Sequence, residues 1–188
     1  MTETISNVEL RHYGPSETLG LRDHILPVYE ASHADLISRP WWSGEEFWNR
    51  LVETYTKTPD FDLVTGQLDG RVVGYAFGSP SDGAVHQDSV HLVFPELEPA
   101  GPVYLFREFA VHTDVHRRGI GTLIHDELLS HRPEKAALLL VRQDNVPAQA
   151  AYARWGWLKA GTKKPFDDVP EFDALVLNLS DLRKKRRQ

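Results

Sequence analysis

Apolar and polar residues alternate at Val8-Glu9-Leu10-Arg11-His12-Tyr13, the two-residue period of a half-buried strand. From 19 to 36 the apolar positions shift to helical spacing, with Pro27 expected to kink or split the segment and Pro40 to close it. Ser43-Gly44-Glu45-Glu46 reads as a helix start. Ser43 can cap, the glutamates suit the positive end, and Phe47, Trp48, Leu51, Val52 and Tyr55 make one buried stripe. Two β-rich runs, 61–68 and 71–78, meet at Asp69-Gly70, a pair that accepts positive φ and predicts a tight hairpin. Residues 79–102 carry four prolines and are expected to form an irregular flap or insertion.

The second half reads strand 103–111, helix 119–131, strand 136–141, helix 146–155, then short strands at 158–161 and 172–179. Pro133 stops the first of these helices, and Ala136-Ala137-Leu138-Leu139-Leu140-Val141 is apolar enough for a strand buried on both faces. Strand, helix and strand in succession imply a parallel pair with a right-handed crossover. The predicted class is mixed α/β with a hairpin-rich first half.

Composition changes this picture little. The chain has 188 residues, enough for one domain, taken as 1–182 with a basic tail at 183–188. No apolar run reaches the roughly 20 residues that span a bilayer, and Met1-Thr2-Glu3-Thr4 lacks the features of a signal peptide, so a cytoplasmic protein is expected. The absence of cysteine excludes disulfides, thiolate metal sites and a cysteinyl acyl intermediate. Five of the 21 basic residues crowd into 183–187, leaving 16 against 27 acidic side chains before them. So acidic a body disfavours nucleic acid and favours cations such as amines. The tail is expected to be solvated and disordered.

The chemistry gathers at His116-Arg117-Arg118-Gly119-Ile120-Gly121-Thr122, directly after one strand and opening one helix. A helix start presents amides without internal partners at the positive end of its dipole, and glycines let a phosphate approach them. Arg117 and Arg118 suit the remaining phosphate charge. The nine histidines show no metal-ligand spacing, and no metal is expected. A nucleophile elbow, a Walker lysine and a dinucleotide signature are likewise missing.

Strand, Arg-Arg-Gly-Ile-Gly-Thr, helix, buried strand, then Asn145-x-x-Ala148-x-x-x-Tyr152-x-x-x-Gly156-Trp157 resembles the GCN5-related N-acetyltransferase (GNAT) superfamily, densely over residues 103–162. The resemblance implies a mostly antiparallel sheet with a splayed parallel strand pair and flanking helices. It implies acetyl-CoA as acyl donor, its pyrophosphate on the turn 116–122. His116 stands where the family usually has Gln or Arg. Phe109, Ala110 and Val111 fall where the family's strand holds the pantetheine arm and polarises the thioester, and Asn145 and Ala148 match further cofactor contacts. Asn145 could equally cap its helix.

Tyr152 matches the family's general acid toward the sulfur. For the base, Glu108 is the best placed; on a two-residue period it shares a face with Tyr104 and Phe106, where partial burial would raise its pKa. His86, Asp88, His91, Glu96, Glu98 and solvent are alternatives. Trp41 and Trp42, with Glu45 and Glu46 close by, are the expected acceptor pocket, while Phe47, Trp48 and Tyr55 fit a core better. The reading is an N-acetyltransferase acting by direct attack in a ternary complex. Its acceptor is the primary amine of a small molecule (antibiotic, polyamine, amino acid) or of a peptide. A non-catalytic acyl-CoA sensor and acetylation of a protein or tRNA-linked amine are the other readings. A homodimer is common among small members of the family.

Overall fold

The computed structural model describes residues 7–97, 101–164, 167 and 169–186. In chain order the elements are β1 (Glu9–Tyr13), α1 (Pro15–Thr18), α2 (Arg22–Ser32), α3 (Gly44–Glu53), β2 (Asp62–Leu68), β3 (Arg71–Ser81) and α4 (Gly83–Val93). There follow β4 (Val103–Val111), α5 (Ile120–Ser130), β5 (Ala136–Arg142), α6 (Val146–Trp155), β6 (Leu158–Lys163), β7 (Phe172–Asn178) and α7 (Leu179–Arg186). Strand order is β1-β2-β3-β4-β5-β7-β6. The β1–β2, β2–β3, β5–β7 and β6–β7 ladders are antiparallel and β4–β5 is parallel. The class is mixed α/β, with the parallel pair where strand–helix–strand predicts it. The chain forms two compact units, 1–79 with 108–129 and 80–107 with 130–188, so that β4 passes from the second unit to the first at Glu108.

In the first unit the β2–β3 hairpin turns at Asp69 and Gly70, with φ of 50° and 78°. Its core gathers Ile25, Tyr29, Phe47, Leu51, Leu63, Tyr75 and Phe77. The helical segment does not split at Pro27: a 3-10 turn at Leu19–Leu21 leads into α2, which carries Pro27 in its interior. Burial of Ile25, Leu26, Val28 and Tyr29 offsets the hydrogen bond that a proline removes, a loss of about 3 kcal/mol in an exposed helix. Ser43 caps α3, accepting from the Glu46 amide at 3.2 Å.

Helix α5 is seated by two glycines. Gly66 and Gly74 are register partners across β2 and β3. A Cβ on Gly66 would meet Ile124 Cδ1 at 2.8 Å, and one on Gly74 would meet the same atom at 2.7 Å and the Ala110 carbonyl oxygen at 3.1 Å. The missing side chains make the saddle that buries Ile124.

In the second unit, β5 pairs with β7 along its length, while its parallel ladder to β4 is given by Tyr104–Ala137 and Leu105–Leu138. Leu140 is 37% exposed, so β5 is not covered on both faces as expected. The irregular stretch 79–102 is corrected as well. β3 runs on to Ser81, Asp82 caps with its side chain on the Ala84 amide at 3.0 Å, and α4 follows. Val85 and Leu92 of α4 lie exposed at 71% and 69%, which blurs the apolar stripe that would have revealed the helix. The basic tail is helical through Arg186, because Arg183 donates to the carbonyls of Arg132 and Glu134 and holds α7 down. No described helix is long and apolar enough to cross a membrane.

Candidate active site

Strand β4 ends at Val111, where the His112 amide donates to the Val73 carbonyl at 2.8 Å. The His116 ring then turns back, and its Nε2–H donates to the Val111 carbonyl at 2.8 Å. A carbonyl only accepts, so Nε2 carries the proton and this ring pins the turn to the strand. Arg117 and Gly119 take φ of 61° and 80°, and the Leu123 amide reaches the Gly119 carbonyl at 3.2 Å as α5 begins. The left-handed conformation strains Arg117 by about 1–2 kcal/mol, a cost seen where a backbone is shaped for function. A Cβ on Gly119 would meet nothing within 4 Å, and Arg117, Arg118 and Thr122 are exposed. An open turn, two guanidinium groups and the positive end of a helix of eleven residues fit a pyrophosphate. Phe109 and Val111 are half-buried on β4, Ala110 and Ile120 are buried, and Gly121 is half-buried in the first turn of α5.

Three residues before Val111, Glu108 is 24% exposed by side-chain area. Burial pushes its carboxyl up from the ordinary value, against the opposing charges of His33 and Arg50 and a hydrogen bond from the Phe109 backbone. His33 Nε2 lies 3.8 Å from Glu108 Oε1. The other nitrogen of His33, Nδ1, is 3.0 Å from the Tyr29 carbonyl and 2.9 Å from Ser32 Oγ. Three more rings line up with His33 beside this carboxyl. His33 stacks on Tyr29 at 4.2 Å, Tyr29 on Phe47 at 4.0 Å, and Trp42 stands 5.9 Å from His33. Burial, then the charge of Glu108, pushes the Tyr29 hydroxyl far up, with Arg50 opposing. The fully buried Tyr75 hydroxyl is raised by burial, then by Glu108 and Tyr29.

Trp41 and Trp42 occupy a 3-10 turn ahead of α3. Tyr29 donates to the Trp42 carbonyl at 3.1 Å and Arg50 to the Trp41 carbonyl at 2.8 Å, while the guanidinium carbon of Arg50 lies 4.3 Å above the Trp41 ring. Glu45 pairs with Arg22 at 2.7 Å, and Glu46 is exposed on the first turn of α3. Phe47 and Trp48 belong to the core, with Tyr55 packed against it. The first unit thus brings Glu108, Trp41 and Trp42 together. It adds His33, Arg50, Tyr29 and Tyr75, which the sequence reading did not single out. The four-residue spacing of Tyr29 and His33 on one helix face was the available hint.

In the second unit Asn145 is a helix cap, its Oδ1 accepting from the Ala148 amide at 3.3 Å, which commits both groups to the start of α6. Gly156 ends α6 at φ 93°, with the Trp157 amide on the Tyr152 carbonyl at 3.0 Å. Tyr152 is 7% exposed and packs edge-on against Phe106, Trp155 and Trp157. His86, Asp88 and His91 lie on α4. The His86 ring is held down by burial and by the charges of Lys163 and Arg107. Glu96 follows in a turn, and Glu98 lies outside the described residues. An apolar cavity of about 260 Å³, lined in part by Val90, Val103 and Ala136, contains none of these residues.

The acetyltransferase (GNAT) family model matches residues 25–157, from α2 to the end of α6. The chain belongs to the GNAT acetyltransferase family. Solved structures of similar fold accompany this GNAT chain. One is PH1933 from Pyrococcus horikoshii OT3, 15% identical with a TM-score of 0.66, covering 92% of this chain and 98% of that one. Another is the ribosomal-protein-S18-alanine N-acetyltransferase from Escherichia coli, 16% identical with a TM-score of 0.62, covering 92% and 94%. A third, the PaiA N-acetyltransferase from Thermoplasma acidophilum in complex with coenzyme A, is 11% identical with a TM-score of 0.57, covering 92% and 99%. No protein of curated function matches the sequence.

Proposed function

We propose that this GNAT protein transfers an acetyl group from acetyl-CoA to a primary amine by direct attack. Acetyl-CoA supplies the activated acyl thioester when bound. Residues 117–122 hold the pyrophosphate with backbone amides and the two arginines, and the backbone of Phe109, Ala110 and Val111 orients the acyl end. Glu108 takes the proton lost by the amine as the C–N bond forms, and Tyr152 gives its phenolic proton to the departing sulfur as the C–S bond breaks. Trp41 and Trp42 wall the acceptor pocket. The observation that carries this reading is Glu108 itself. Its carboxyl is raised by burial toward a useful base, three residues from the strand end on which the open turn is pinned.

Thiol release with acetyl-CoA and a panel of amines, beside calorimetric titration of acetyl-CoA, tests it. Release that is lost in Glu108→Gln and in Tyr152→Phe is the expected result. Binding without release from any amine would favour an acyl-CoA sensor. No binding would overturn the donor assignment.

A further inference from the structure

The polar groups around Glu108 are unevenly satisfied. Arg50, partly buried on the last turn of α3, is held by the Trp41 carbonyl at 2.8 Å and by the Trp41 ring at 4.3 Å. Its charge acts on Glu108 and on Tyr29, yet among the described residues no carboxylate oxygen comes within 4.0 Å of it. Other arginines of the chain differ: Arg11, Arg22, Arg132 and Arg142 each contact a carboxylate at 2.7–2.8 Å. Arg50 also hydrogen-bonds the Tyr29 hydroxyl, but a partly buried guanidinium with no carboxylate partner is a ready anion site, and its planar fork matches a carboxylate.

A second group points the same way. Tyr75 is fully buried, within electrostatic reach of Glu108 and Tyr29, and its hydroxyl has no hydrogen-bond partner. Buried hydroxyls are paired in the great majority of cases, and an orphan within electrostatic reach of Glu108 is an unmet polar group beside the proposed site. An acceptor with an amine alone would serve Glu108 and leave Arg50 bare. An acceptor with an amine and an anion a few bonds apart would satisfy both. Trp41, 38% exposed under the guanidinium, gives such a molecule an apolar wall.

We propose that the acceptor is an amino carboxylate, an amino-acid-like molecule whose carboxylate docks on Arg50 against Trp41 while its amine is directed to Glu108. This rests on the acetyl-transfer reading above. It separates amino acids from polyamines and aminoglycosides, whose extra positive charges Arg50 repels.

The test compares matched pairs: amino acids against the amines formed by removing their carboxylate, and against their amides. Thiol release and calorimetric titration are measured for wild type, Arg50→Gln and Arg50→Lys. Amino carboxylates are expected to show a kcat/KM about 10–100-fold above their decarboxylated partners, the worth of a charge-assisted fork. Arg50→Gln is expected to abolish that preference through KM, while the effect of the lost charge on Glu108 falls equally on both members of each pair. Arg50→Lys should restore part of it. Equal use of both partners, or an equal loss for both in Arg50→Gln, would overturn the assignment and leave Arg50 as a support for Trp41. Arg50-dependent binding of an amino carboxylate without thiol release would keep the anion site and overturn acetyl transfer instead. Absence of both binding and release for every amino carboxylate would overturn the site.

Discussion

His33 Nε2 faces Glu108 Oε1 at 3.8 Å while Nδ1 of the same ring sits against the Tyr29 carbonyl at 3.0 Å. A carbonyl offers no proton, so the Nδ1 contact is a hydrogen bond when Nδ1 is the donor. Nε2 is then free to meet the carboxyl. The end of α2 thereby places an imidazole beside a carboxyl that burial has already raised. In the GNAT reading this pairing sets how readily Glu108 holds the proton it takes from the acceptor.

Replacing Glu108 should raise stability as it removes activity. Its carboxyl lies above the ordinary 4.5 in the fold. The penalty for ionising it is therefore absent below the unfolded value and appears as pH rises through the folded one. Glu108→Gln should be more stable than wild type at pH 7 to 8 and equal to it near pH 4, by chemical denaturation, with activity down about 10²–10⁴-fold.

His33→Gln should move the acid limb of kcat/KM to higher pH. The charge of His33 pulls the Glu108 carboxyl down, so its removal lets burial raise it further. A ring that merely supports α2 would lower the rate at every pH and leave the limb in place.

Gly74→Ala should cost about 1–3 kcal/mol and weaken acetyl-CoA binding, since Ile124 anchors the helix that begins at the turn. A Cβ at 74 meets the Ala110 carbonyl at 3.1 Å, which is backbone, whereas at 66 it meets the ends of Ile124 and Ile120. Gly66→Ala is expected to be milder. Adding Ile124→Val, which deletes the Cδ1 both would strike, should recover more of the Gly66→Ala loss than of the Gly74→Ala loss in thermal unfolding.

His12 gives a second pH dependence of the same sense, since its folded value is raised as well. Nδ1 is 2.9 Å from Asp62 and Nε2 is 3.3 Å from Glu127. Burial opposes protonation, but the hydrogen bonds and charges of Asp62 and then Glu127 outweigh it, and the ring is raised above 6.5. Its contribution is complete below the unfolded value and is lost as pH rises through the folded one. With the side chain 42% exposed, solvent screening holds this to about 0.5 kcal/mol. The stability gap between wild type and His12→Gln should close as pH rises above about 6.5, and shrink in high salt.

Much of the fold was legible from local pattern. The hairpin at Asp69-Gly70, the cap at Ser43 and the bounds of β4 and α6 follow from φ preference, capping chemistry and periodicity, which act over a few residues. Helix α4 was hidden because exposed Val85 and Leu92 break the stripe that reveals a helix. The disorder expected of the basic tail gave way to a helix because Arg183 finds carbonyls some fifty positions away. Asn145 could be read two ways, and only the geometry showed it capping.

The sequence by itself determined the order of elements apart from α4 and α7, the mixed α/β class and the glycine turn before α5, each carried by short-range stereochemistry and by the burial period of single strands and helices. It also pointed to Glu108. Tertiary structure decided what surrounds that carboxyl. His33 comes from the end of α2, Arg50 from α3, Tyr75 from β3 and Glu108 from β4, and no spacing along the chain links them. Their meeting depends on how the apolar faces of two helices settle against the strands, a long-range packing outcome. That packing, more than any motif, sets the charge, the burial and the unpaired donors that give the candidate site its chemistry.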